Sequence, residues 1–204
     1  MVDIIQVIEN LFLNRTDVYV VQLDGLNEYK VIKEPINKGI IANHLGGKLT
    51  IGAFQINPQD NNVKWICFDF DGDLKEELEK AKRLYSKLKD MDFHPLLEFS
   101  GRRGYHVWLF IEPTDAKIAR EFANKVSKEA SPHEIFPKQD KIEKTGFGGQ
   151  VKVPLGLHRV SNKRSILFDD DFNELADNDS IKFLIRFYEI DRDKIITTNI
   201  HNFI

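Results

Sequence analysis

The chain has 204 residues, 42% of them hydrophobic and 15 of them phenylalanine, enough to bury a full core as one large domain or as a domain with a small lobe. Its 29 basic and 32 acidic side chains give a formal net charge of -3, which excludes attraction of nucleic acid by global basicity and leaves phosphate binding to a local site. The single cysteine, Cys67, excludes a disulfide framework and a multi-cysteine zinc cluster within the chain, so no zinc is expected. No apolar stretch approaches the roughly 20 residues of a membrane helix, and the N-terminus lacks the basic region and cleavage site of a secretory leader. A soluble, cytoplasmic protein with no membrane contact is expected.

In chain order, Ile4, Ile5, Ile8, Leu11 and Leu13 recur at helical spacing, residues 18–23 are rich in β-formers, residues 39–45 predict a short helix stopping at Gly46-Gly47, and residues 49–54 read as a strand. The Pro, Asp and Asn content of residues 57–62 predicts a turn into a strand over 63–70. Residues 74–90 form the clearest helix, with Leu74, Leu78, Ala81, Leu84 and Leu88 on one face and charged residues, read as a solvated face, elsewhere. A strand at 96–99, a turn at 100–104 and a strand at 105–111 follow; Thr114 is the expected N-cap of a helix from Asp115 to about Glu129, ended by Pro132. Short strands are expected at 133–136, 149–153 and 164–168, and residues 179–189 read as a mixed apolar helix or strand. Strands and helices alternate without the repeat of a barrel, which predicts a compact α+β or split βαβ arrangement.

Asp69 and Asp71 end the apolar run Trp65-Ile66-Cys67-Phe68. In a strand, residues two apart point to one side, so both carboxylates project together while Phe70 turns into a core, and such a pair suits hard divalent cations. Farther on, Ser100-Gly101-Arg102-Arg103-Gly104-Tyr105-His106 joins a Gly-flanked turn to cationic side chains, an arrangement that brings N–H groups and positive charge to an anion. Each segment alone has a plainer reading: strand-end carboxylates, a hairpin turn, a satisfied core histidine at 106, and a solvated surface glutamate at 134.

Four segments in this order resemble the archaeo-eukaryotic primase superfamily: Asp69-Phe70-Asp71, Ser100 to His106, His133-Glu134-Ile135-Phe136-Pro137-Lys138-Gln139, and Val153-Pro154-Leu155-Gly156-Leu157-His158-Arg159. The closest likeness is to the primase-polymerase domains of TOTE conflict systems and CRISPR-associated primase-polymerases. Residues 14–19 and His44 to Gly52, including Lys48, resemble that subgroup's lead-in, though His44 and Lys48 also admit a structural role. The resemblance implies one catalytic domain over 1–204, with an N-terminal α/β lead-in lobe at 1–55 and an RRM-like split βαβ catalytic core at 56–204. It implies a DNA primase-polymerase that joins nucleotides from NTPs or dNTPs on a single-stranded or primed template, with two Mg²⁺ or Mn²⁺ ions held by Asp69, Asp71 and Glu134. Nucleotide binding is implied for Ser100, Arg103, Gly104, His106, His158 and Arg159, with Arg102, Lys138, Gln139 and Lys163 as further candidates and Tyr105 as a contact to the nucleic-acid strand. Further domains or defence-system proteins are possible partners in a longer chain. Two departures from the pattern stand out: Glu134 occupies what is more often aspartate, with Asp140 as the substitute, and Gly156 replaces the usual serine.

A rival of another class is a haloacid-dehalogenase-like phosphohydrolase, since Phe68-Asp69-Phe70-Asp71-Gly72-Asp73-Leu74 resembles its first motif with Asp69 as nucleophile. It leaves Ser100–His106 and Pro154–Arg159 unexplained, and it normally carries Thr or Ser where Asp73 stands. A catalytically silent nucleic-acid-binding module is the third reading; three carboxylates beside a polyphosphate site weaken binding unless metals offset them.

Overall fold

The computed structural model describes residues 2–203. The chain runs through α1 (Ile4–Phe12), β1 (Tyr19–Gln22), β2 (Tyr29–Ile32), α2 (Lys38–Leu45), β3 (Ile51–Phe54), β4 (Asn62–Asp71), α3 (Leu74–Asp90), β5 (Pro95–Phe99) and β6 (Gly104–Asp115). It continues through α4 (Ala116–Ser127), β7 (Glu134–Phe136), β8 (Gln150–Lys152), β9 (Ile166–Leu167) and α5 (Asp177–Ile196), closing on a 3-10 turn at His201–Phe203. Two sheets result, one in the order β2-β1-β3-β8 and one in the order β7-β4-β6-β5-β9, and every strand pairing in both is antiparallel. Within the larger sheet the chain order β4-α3-β5-β6-α4-β7 maps onto the spatial order β7-β4-β6-β5, which is the split βαβ unit the sequence predicts.

Strand alternation divides the larger sheet into two buried faces. Ile66, Phe68 and Phe70 of β4 join Val107 and Leu109 of β6 under the apolar stripes of α3 (Ala81, Leu84, Leu88) and α4 (Phe122, Val126). On the other face, Trp65 and Cys67 join Leu96, Trp108 and Phe110 beneath α1, α5 and the smaller sheet. The aromatic rings there lock edge to face, with Phe12 and Trp65 each 5.1 Å from Trp108. Trp65 donates its indole N–H to the Phe12 carbonyl at 3.0 Å, so the second face is fixed before the site begins.

The smaller sheet is not built from the first 55 residues alone, because β8 supplies its last strand by pairing Gly52 with Lys152 and Ala53 with Val151. One local expectation is corrected, one open alternative is decided and one strand is added. Asp115, not Thr114, caps α4 by accepting the Lys117 N–H at 2.9 Å, since β6 runs on to pair Asp115 with Asn62 and keeps Thr114 in the strand. Residues 179–189 lie in a 20-residue helix, α5; its Ile and Phe content suits either state, and the buried set Ser180, Leu184, Tyr188 and Ile195 settles on helical spacing. Strand β2 went unpredicted because it is a half-exposed, charge-bearing edge held by register with β1.

Candidate functional site

The second face of the larger sheet outruns its cover at the end of β4. There the alternation that buries Trp65 and Cys67 brings Asp69 and Asp71 to the same side, while Phe70 is fully buried on the other. Strand register sets a row across four strands: Glu134 of β7 lies opposite Asp69, Asp69 opposite His106 of β6, and His106 opposite Glu98 of β5. A cavity of about 300 Å³ opens over this row, lined by the three expected carboxylates and by Ser100, Arg102, Arg103, Gly104, His106 and His158.

The turn between β5 and β6 is held at both ends. Ser100 donates its N–H to the Gly104 carbonyl at 2.9 Å, and Gly101 adopts φ +94, where a Cβ would also meet the Lys163 carbonyl at 2.9 Å. At Gly104 the strands approach so closely that a Cβ would lie 2.3 Å from the Phe70 carbonyl. These glycines press the cationic turn against the end of β4, and that is why Arg103 and Asp71 meet.

Each carboxylate faces a basic side chain. Arg103 Nη2 lies 2.6 Å from Asp71 Oδ2, Lys138 Nζ lies 2.6 Å from Glu134 Oε1, and His106 Nε2 lies 3.6 Å from Asp69 Oδ1. Burial pushes the Asp69 carboxyl up; His106 opposes this, and the neighbouring Asp71 and Glu134 add to it. Burial pulls His106 down, but Glu98 and Asp69 outweigh it and leave the imidazole above its ordinary value. His158 is pulled to about 4 by burial, Lys152 and Arg102, so it stays neutral at neutral pH, with Nδ1 accepting the Val160 N–H at 3.2 Å.

Among the described residues no three His, Cys, Asp or Glu side chains converge to hold a metal ion. Arg103 and Lys138 take up oxygens of two of the three carboxylates. In chemistry the set fits Mg²⁺ or Mn²⁺: hard oxygen donors on adjacent strands facing one cavity, with no thiolate among them.

Several sequence candidates are placed elsewhere. Arg159 is turned from the cavity, donating to Thr50 Oγ1 and the Gly47 carbonyl, each at 3.0 Å. Gln139 accepts the Gly149 N–H at 3.2 Å, Lys163 is exposed outside the cavity lining, and Lys138, also outside the lining, meets it at Glu134 and over the Phe136 ring. Asp140 is engaged by Arg120 Nε at 2.8 Å. Tyr105 cannot contact a strand over the site: it is buried on the opposite face, between Phe99 and Phe168. His44 is structural, fully buried, with Nδ1 accepting the Ile51 N–H at 3.1 Å and Nε2 3.0 Å from the Pro154 carbonyl.

Sequence reasoning missed Glu98, buried beneath the cavity, Lys152, a buried residue of its lining, and Tyr29, which reaches it from β2. A lone carboxylate in Leu96-Leu97-Glu98-Phe99 and a lone lysine in Val151-Lys152-Val153 are the signals that could have found the first two, because such charges are seldom buried unless paired.

The fold has counterparts among solved structures. The polymerase domain of Mycobacterium tuberculosis Ligase D in complex with DNA matches with TM-score 0.50 and 14% identity, over 85% of this chain and 74% of that one. The AEP domain of the cyanophage S-2L primase-polymerase matches with TM-score 0.47 and 10% identity, over 83% of this chain and 89% of that one. The catalytic domain of primase RepB′ in complex with initiator DNA matches with TM-score 0.46 and 8% identity, over 95% and 99% of the two chains. No curated protein sequence matches. Residues 26–198 match the family model described as the archaeo-eukaryotic primase domain of the TOTE conflict system. Because that match spans most of the chain, the chain belongs to the archaeo-eukaryotic primase domain family of the TOTE conflict system.

Proposed function

We propose that the chain is a template-dependent nucleotidyltransferase, a primase-polymerase that joins nucleotides from NTPs or dNTPs to a primer or an initiating nucleotide. The observation that carries this reading is the meeting, in one cavity, of three carboxylates with a cationic Gly-flanked turn. Asp69, Asp71 and Glu134 would hold Mg²⁺ or Mn²⁺, and ions bound there supply charge neutralisation and Lewis-acid polarisation of the reacting oxygens. Ser100, Arg102, Arg103 and His106 face the space a triphosphate would occupy and donate to its oxygens.

The ion pairs of the free protein fit this division of labour. Arg103 neutralises Asp71 until a triphosphate offers it phosphate oxygens, and Lys138 does the same for Glu134. Both cations must leave for the carboxylates to converge. The phosphohydrolase reading is not favoured: β4 lies in an antiparallel sheet rather than a parallel one, and Asp73 serves as the N-cap of α3.

A primer-extension assay with Mg²⁺ or Mn²⁺ tests the proposal. Asp69→Asn and Asp71→Asn should each lower extension by more than ~100-fold while the folded state persists by circular dichroism. Near-wild-type extension by either folded variant at saturating metal would overturn the assignment.

A further inference from the structure

Beneath the cavity floor lies a charge that the motifs do not call for. Glu98 is fully buried, yet it sits in the middle of a strand whose neighbours Leu96 and Leu97 are core residues. Its Oε2 accepts from His106 Nδ1 at 2.9 Å and from Trp108 Nε1 at 2.8 Å. Its Oε1 makes no hydrogen bond and lies 3.6 Å from Lys152 Nζ, itself buried. Burying an ion pair gains little for a fold, and an apolar pair of similar volume usually serves stability as well or better. Satisfying Trp108 alone would need only a neutral amide oxygen.

We infer that Glu98 is a positioning residue that acts through His106, with Lys152 balancing its charge. The bond at Nδ1 fixes the imidazole in the plane that turns Nε2 toward the cavity and Asp69. The acceptor is itself immobile. Trp108 is wedged between the rings of Phe12 and Trp65 and stands perpendicular to the His106 ring at 5.7 Å. His106 is thus aimed by a chain of contacts ending in the aromatic core, and its loss of rotamer freedom is complete before any ligand arrives. The inference rests on the reading of His106 as a triphosphate donor.

A double-mutant cycle separates this role from a merely structural one. ATP binding with Mg²⁺ is titrated on the folded fraction of wild type, Glu98→Gln, His106→Ala and the double variant. Glu98→Gln is expected to weaken ATP by about tenfold, and the double variant to bind no more weakly than His106→Ala, because residues acting through one contact do not add. The extension KM for nucleotide should rise similarly with kcat changing much less. Should Glu98→Gln not fold, its Lys152 being left unpaired, Glu98→Gln/Lys152→Met removes both charges and is expected to show the same loss of affinity. Unchanged affinity in folded Glu98→Gln, or in the Lys152→Met double variant, would overturn the inference, as would losses that add in the cycle. Failure of wild type to bind ATP would instead overturn the reading of the cavity as a triphosphate site, and the inference with it.

Discussion

His44 and Gly156 show how a departure from a motif acquires a physical cause. A Cβ at position 156 would lie 2.0 Å from His44 Cε1, so the imidazole occupies the space that a serine would need. Gly156→Ala should therefore destabilise the protein by about 1–3 kcal/mol, as overpacking of a fixed core does, measured as a shift of the urea midpoint; an unchanged midpoint would show that the ring can move. The same histidine carries a pH dependence. Burial holds His44 at about 3 against the ordinary 6.5, so below 6.5 the unfolded chain takes up a proton that the folded chain refuses. Stability from this group is complete above that value and is lost as pH falls toward 3. His44→Asn, which retains an acceptor for the Ile51 N–H, should flatten the acid slope of the urea midpoint; a slope identical to wild type would place the acid sensitivity elsewhere. At the site itself, His106→Ala and Arg103→Ala are each expected to weaken nucleotide binding by about 1.5–3 kcal/mol, the range for hydrogen bonds to charged groups. Unchanged affinity in both would move the phosphate site.

Among the elements, α3 was the most legible and its ends explain why. Ala81, Leu84 and Leu88 keep the expected buried period, although Leu74 at the first turn is exposed and Glu77, read as part of the solvated face, is buried beside Lys80; Asp73 supplies the cap by accepting from the Lys75 and Glu76 N–H groups, each at 3.1 Å. Asp73→Ala should cost about 1 kcal/mol by urea unfolding. It should leave extension unaffected at saturating nucleotide, whereas a phosphohydrolase motif would make this position functional. Strand β4 was equally legible, because an apolar run ending in two aspartates two residues apart fixes the side the carboxylates share and the opposite side on which Phe70 is buried. Strand β2 and the length of α5 were not. The first is stabilised by register with β1 rather than by its own pattern, and the second is decided by which stripe of an ambivalent segment is buried. The site divides in the same way. Asp69, Asp71 and the turn at 100–106 announce themselves locally, but the row in which Asp69 and His106 stand between Glu134 and Glu98 exists only through cross-strand register. Arg159 looked equivalent to His158 in sequence, yet the loop turns one into the cavity and the other toward Gly47.

Across the whole molecule, the site is a seam between two sheets. The larger sheet brings the carboxylates and the turn, and the smaller sheet adds Tyr29 and, through β8, Lys152. Because β8 comes from the second half of the chain, residues 1–55 should not fold separately from it. No described helix is long and apolar enough to cross a membrane. In the proposed reaction, Asp69, Asp71 and Glu134 gather around divalent metal once Arg103 and Lys138 have let go. A crystal structure with Mn²⁺ and a non-hydrolysable nucleoside triphosphate, read at the manganese anomalous edge, tests it most directly. Manganese peaks bounded by Asp69, Asp71 and Glu134 are expected, with Arg103 and His106 on the phosphates. Manganese bound at Asp140 with Glu134 still paired to Lys138, or phosphates seated away from the 100–106 turn, would contradict it.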